Sequence, residues 1–148
     1  LAAIALAGVR ISQIFARFEV LEHSMTPTLD PGDYIIVDRR IGGMRAGDLV
    51  VYAHPESPDF WFVKRVIGVA GDDIAIADGM LLRNGEPADA RPASGDAAWS
   101  IGPGEVFVLG DNRLASAGDS LDLGPISVGL IEGVVAFRYW PADAIGRV

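Results

Sequence analysis

The sequence predicts an all-β domain, a sandwich or a barrel. Short runs of β-forming residues recur along the chain, and turn signals separate them at short intervals. The length of 148 residues matches one domain, and an apolar fraction of 50% is enough to fill one core.

The elements follow in chain order. Residues 1–9 are apolar or Gly, and Arg10 ends the run. Nine residues cannot span a bilayer, which needs about 20. Residues 1–10 fit the end of a transmembrane anchor and an ordinary buried segment equally well. Residues 11–22 carry Ile11, Ile14, Phe15, Phe18 and Leu21, which fits a helix, although 18–21 suits an extended chain equally well. Strands are expected at 34–38 after the Pro31-Gly32 turn, at 49–52 after Gly47-Asp48, and at 60–69, the longest apolar stretch. Residues 74–77 and 80–83 flank Asp78-Gly79, a hairpin signal, and Asn84-Gly85 marks a second turn. Residues 86–104 are rich in Ala, Pro, Gly and Asp and read as an irregular loop. The last strands fall at 106–109 and 133–139. Residues 11–148 thus form a single domain.

Charge and composition exclude several functions. Twelve basic against 20 acidic residues give a net charge of −8, which argues against a nucleic-acid partner. The absence of cysteine removes disulfides, thiolate metal sites and a Cys nucleophile. Two histidines, His23 and His54, are too few for a His-rich metal site, and nothing in the sequence points to a metal or an organic cofactor. Eleven of the basic residues are Arg, and Lys64 is the only Lys. Arg stays protonated, whereas a buried Lys can become a neutral base. Lys64 lies within the apolar run Trp61-Phe62-Val63-Lys64-Arg65-Val66-Ile67. In a strand, Phe62, Lys64 and Val66 share one face, so two apolar side chains flank the amine. Desolvation there lowers a Lys pKa from its usual ~10.4.

Four segments stand in order: Ser24-Met25-Thr26-Pro27-Thr28-Leu29 with Gly32-Asp33; Gly47-Asp48-Leu49-Val50-Val51-Tyr52; Val63-Lys64-Arg65-Val66-Ile67-Gly68 with Gly71-Asp72; and Gly110-Asp111-Asn112-Arg113, followed by Ser116, Asp119-Ser120 and Gly124. Across residues 11–140 this series resembles the bacterial type I signal peptidases, membrane-anchored serine proteases of the Ser/Lys type. The resemblance implies a signal-peptidase-like β-sheet or barrel catalytic domain, with Ser24 as nucleophile and Lys64 as general base. Such pairs are a variant of the triad logic, in which a weak hydroxyl nucleophile needs an adjacent base. By the same resemblance Ser116 orients the Lys64 amine, Asp111 pairs with Arg65, and Asp119 supports the site. Val20, Met25, Leu29, Phe62 and Val63 match the wall of the substrate pocket, although as residue types they suit a plain core equally well. The Ser24 backbone N–H is the expected oxyanion donor.

The chain also departs from the family pattern. Glu22 stands where many members carry a Ser or Thr hydroxyl, two residues before the nucleophile. Ala70 replaces a Pro. An extra residue near Gly118 separates Ser116 from Asp119, and Leu121 replaces the Arg that usually follows Asp-Ser.

The resemblance implies an endopeptidase that removes signal peptides on the outer side of the bacterial cytoplasmic membrane. Its expected partners are preprotein signal peptides, the lipid bilayer surface and the secretion translocon, and the chain is expected to act as a monomer. Three other readings stay open on the sequence: a self-cleaving repressor-type protease, a specialised maturation peptidase of a conjugation or pilus system, and a catalytically dead scaffold.

Overall fold

The computed structural model describes residues 6–10 and 13–148. Among these described residues, twelve strands and one short α-helix follow in order. They are β1 Leu6–Arg10, β2 Phe15–Val20, β3 Tyr34–Asp38, β4 Leu49–His54, β5 Ser57–Val69, β6 Asp73–Ala77, β7 Met80–Arg83, β8 Glu86–Pro92, β9 Ala97–Ser100, β10 Glu105–Leu109, α1 Ser120–Leu123, β11 Ile126–Ser127 and β12 Ile131–Trp140.

Eight strands form one sheet in the order β1-β2-β3-β12-β4-β5-β10-β11, and a further pairing of Leu6 with Trp61 brings β1 against β5. That contact closes the first six into a ring, and β10 and β11 extend from it along β5. The all-β expectation is met. β12 crosses the ring between β3 and β4, and Gly133 lets it do so. A side chain there would collide with the Asp38 carbonyl. The core inside this sheet is built from Phe18, Ile35, Val50, Tyr52, Val66, Val108 and their neighbours.

The remaining strands form a second sheet, β8-β7-β6-β9. Both sequence-marked turns lie in it. Asp78 and Gly79 have φ of 52° and 74°, and Asn84 and Gly85 have 52° and 82°, the left-handed pairs that tight hairpins require. The sheet has its own small core, with Ile74, Ile76, Leu81 and Phe107 at its centre.

Two expectations are corrected. Residues 15–20 are a strand rather than part of a helix. Ala16, Phe18 and Val20 are buried on alternate positions, so the period is two. Residues 86–104 are not an irregular loop throughout, since β8 and β9 lie within them. Their Pro and Ala content hides them because both are edge strands, where Pro is tolerated and alternation is weak. Of the expected anchor end, residues 1–5 lie outside the described residues, and Leu6–Arg10 forms β1. Among the described residues no helix is long and apolar enough to cross a membrane.

Candidate active site

Ser24 sits on a turn whose ends are tied together. Val20 N donates to Asp33 O, and Gly32 N donates to Val20 O, both at 2.8 Å. Within the turn, Leu29 N bonds Met25 O at 3.0 Å. Arg138, reaching across from β12, bonds the Asp33 carboxylate at 2.8 Å and the Thr28 carbonyl at 3.2 Å. The nucleophile candidate is therefore carried on a loop fixed at both ends by main chain and braced by one guanidinium.

Lys64 lies mid-strand in β5, opposite Val50 of β4, and is 1% exposed. Its amine is 5.7 Å from the Phe62 ring centroid. Burial pulls its pKa down to about 8, against an upward pull from the charges of Asp119, Asp122 and Glu22. The amine donates to Ser116 Oγ at 3.0 Å, and Ser116 Oγ donates to Asp119 Oδ2 at 2.6 Å. These two bonds link Lys64, Ser116 and Asp119 in one hydrogen-bonded chain.

Asp119 is buried and has found partners other than an Arg. Its carboxylate accepts from Ser116, from Leu121 N at 3.0 Å as the cap of α1, and from Gly110 N at 3.4 Å. The capping bond comes from the backbone of Leu121, the residue whose side chain cannot supply the usual cation.

The Gly110–Arg113 loop joins these parts. Asn112 N donates to Ser24 O at 2.9 Å, and Asn112 Nδ2 donates to His23 O at 3.1 Å. A Cβ on Gly110 would collide with the Ser116 side chain and lie 2.7 Å from Ser24 O. Glycine is thus required where the nucleophile turn, Ser116 and this loop converge.

The expected Asp111–Arg65 pair is present and bidentate. Arg65 Nε reaches Asp111 Oδ1 at 2.8 Å, and Nη2 reaches Oδ2 at 2.7 Å. Thr28 Oγ1 adds a bond to Asp111 Oδ2 at 2.6 Å, which ties the nucleophile turn to the same carboxylate. Sequence reasoning missed Thr28, although its place four residues after Ser24 was visible. It also missed Asp89 on β8, which bonds Arg113 at 2.6 Å, while Arg113 Nε holds Gly110 O at 2.9 Å. The second sheet therefore braces the central loop. No local signal in the sequence could have paired residues 89 and 113.

Among the described residues Ser24 Oγ makes no hydrogen bond, and the Lys64 amine bonds Ser116 instead. Bonds between nucleophile and base are often long until substrate binds. Val20, Met25, Leu29, Phe62 and Val63 all belong to the main core, at 5% exposure or less. Among the described residues no group of His, Asp and Glu could hold a metal ion.

Comparison with known proteins gives one consistent answer. The family described as "Signal peptidase, peptidase S26" matches residues 1–140. Signal peptidase I of Bacillus caldolyticus is 37% identical over 150 residues, covering 86% of this chain and 81% of its own. Subunit 1a of the mitochondrial ATP-independent inner membrane protease of Arabidopsis thaliana is 35% identical, covering 84% of this chain and 70% of its own. The crystal structure of a signal peptidase I from Enterococcus faecalis shares the fold, with a TM-score of 0.55 at 24% identity, over 64% of this chain and 97% of the other. With the family match running through Ser24, Lys64 and the Gly110–Arg113 loop, this chain belongs to the S26 family of signal peptidases.

Proposed function

We propose that this serine endopeptidase cleaves signal peptides from preproteins with Ser24 as nucleophile and Lys64 as general base. The observation that carries the assignment is the buried amine of Lys64, held by Ser116 beside the loop that grips the Ser24 carbonyl. A buried amine with its pKa drawn down to about 8 is substantially neutral in mildly alkaline solution. It takes the Ser24 hydroxyl proton as Oγ bonds to the scissile carbonyl carbon. The protonated amine then gives that proton to the departing amine. Water, activated by the same nitrogen, releases the acyl group from Ser24.

Among the described residues the Ser24 N–H has no protein partner, so it is available to the oxyanion. Glu22, which precedes the nucleophile by two residues, cannot act as a second donor when ionised. Val20, Met25, Leu29, Phe62 and Val63 form the floor against which small substrate side chains rest, as cleavage after A-x-A-type sequences demands. An extended peptide adds to a strand edge beside them. The catalytic domain works at the outer face of the cytoplasmic membrane as a monomer, on substrates emerging from the translocon.

The test is cleavage of a purified preprotein in detergent. We expect a cut after a small residue, and loss of that cut in Ser24→Ala and in Lys64→Ala with the fold intact. Full activity in Lys64→Ala would remove the base. Cleavage confined to the chain's own backbone would favour a self-processing protease.

A further inference from the structure

Tyr52 belongs to a motif with no role in the chemistry above, yet its hydroxyl reaches the loop that seats the base. It is fully buried on β4, opposite Phe62 of β5, and the two rings stack at 5.9 Å with 27° between their planes. The hydroxyl donates to Gly118 O at 2.6 Å. Gly118 lies between Ser116 and Asp119. Its φ is 68°, and a Cβ there would press on the Phe62 ring at 3.3 Å and on His54 at 3.4 Å. Gly118 N donates to Asp122 Oδ2 of α1, at 2.8 Å. Among the described residues Tyr52 supplies the only side-chain hydrogen bond from the barrel to residues 117–118.

Resting on the peptidase reading, we propose that Tyr52 is a positioning residue, which clamps the Ser116–Asp119 loop so that Ser116 stays over the Lys64 amine and water stays out. The phenol suits the task. Burial, together with the charges of Asp119 and Asp122, pushes its pKa up, so it remains a donor wherever the enzyme works. The clamp and the base meet the same groups. Lys64 sits over Phe62, bonds Ser116, and feels Asp119, Asp122 and Glu22, and Phe62 is the ring on which both Tyr52 and Gly118 pack. Releasing the carbonyl of residue 118 therefore loosens the lid over the amine. Because desolvation is the largest influence on that amine, hydration returns its titration toward the ordinary Lys range.

Tyr52→Phe keeps the ring and removes only the hydroxyl. We expect kcat at pH 8 to fall about tenfold with KM within twofold, and the activity to recover toward pH 10. The solitary Lys gives a second readout, because isotope-labelled lysine yields one side-chain NMR signal. That signal should titrate at higher pH in Tyr52→Phe than in the unmodified chain. Gly118→Ala, crowded against Phe62 and His54, displaces the same carbonyl and should move the signal the same way. Tyr139→Phe is the control, since its hydroxyl is buried without a partner among the described residues, and should change neither. An unchanged Lys64 titration in both Tyr52→Phe and Gly118→Ala overturns the proposal. So does a loss of activity equal at every pH and matched by a fall in thermal midpoint. A chain that cleaves no preprotein would defeat the peptidase reading instead, while the titration still decides the role of Tyr52.

Discussion

Replacing Asp111 with Asn tests the joint between β5, the nucleophile turn and the central loop. The Asp111 side chain is 1% exposed and accepts three hydrogen bonds, two from Arg65 and one from Thr28. Breaking a buried ion pair by removing one partner costs about 3–5 kcal/mol. Arg65 is 23% exposed on its side chain and keeps a bond to Gly47 O at 2.8 Å, so its charge is not stranded. The lower end, about 3 kcal/mol, is the right expectation. For a domain of this size that lowers Tm by roughly 6–12 °C, at about 2–4 °C per kcal/mol. Burial alone would raise the Asp111 carboxyl, but hydrogen bonds from Arg65 and Thr28, with the charges of Arg65 and Arg91, hold it below the ordinary value. Its stabilisation is therefore present above the unfolded carboxylate pKa of about 3.9 and is lost as pH falls through the depressed folded value. Urea denaturation of both proteins from pH 7 to pH 2, with exposed Asp143→Asn as charge control, measures the difference. A gap below about 1 kcal/mol at pH 7, or one that does not narrow in acid, would refute the reasoning.

Two further expectations concern Lys64. In a kinetic pH profile, kcat/KM for preprotein cleavage should rise through about pH 8 as the amine loses its proton, and a flat profile from pH 6 to pH 10 would contradict that assignment. Lys64→Met should abolish cleavage yet stabilise the fold at pH 7 by roughly 2 kcal/mol, because the unfolded chain holds its proton more tightly than the buried amine does. That gain should be full below about pH 8 and shrink toward pH 10.5, and denaturation curves at the two extremes would expose an opposite trend.

The parts of the molecule that could be read from the sequence are those where one local signal decides the structure. Asp78-Gly79 and Asn84-Gly85 announce their turns because few other residues accept positive φ at both positions. Lys64 could be placed because a lone amine between Phe62 and Val66 must lie on a buried face of the strand. Residues 15–20 were misjudged because Phe15, Phe18 and Leu21 satisfy a helical spacing, while pairing with β1 and β3 enforces the extended form. The edge strands β8 and β9 lacked alternation, since much of their length faces solvent. The site was legible in its motifs but not in its braces. Thr28–Asp111, Asp89–Arg113 and Tyr52–Gly118 each join residues far apart in the chain, 83 and 66 positions in the first and last cases, and only the folded ring brings them together.

The second sheet leaves and rejoins the barrel at one place, for Val69 of β5 and Val106 of β10 stand side by side as antiparallel neighbours. Everything between them is an excursion hung on a single hairpin, a cassette whose two ends already touch. Lengthening such an excursion adds little closure entropy, about 0.6 kcal/mol for each doubling, so its size is free to vary while the barrel keeps its register. The handshake between Asp89 and Arg113 limits that freedom. A shorter or foreign cassette would preserve the fold but must bring its own carboxylate to the loop, or the catalytic machinery loses a hand that steadies it.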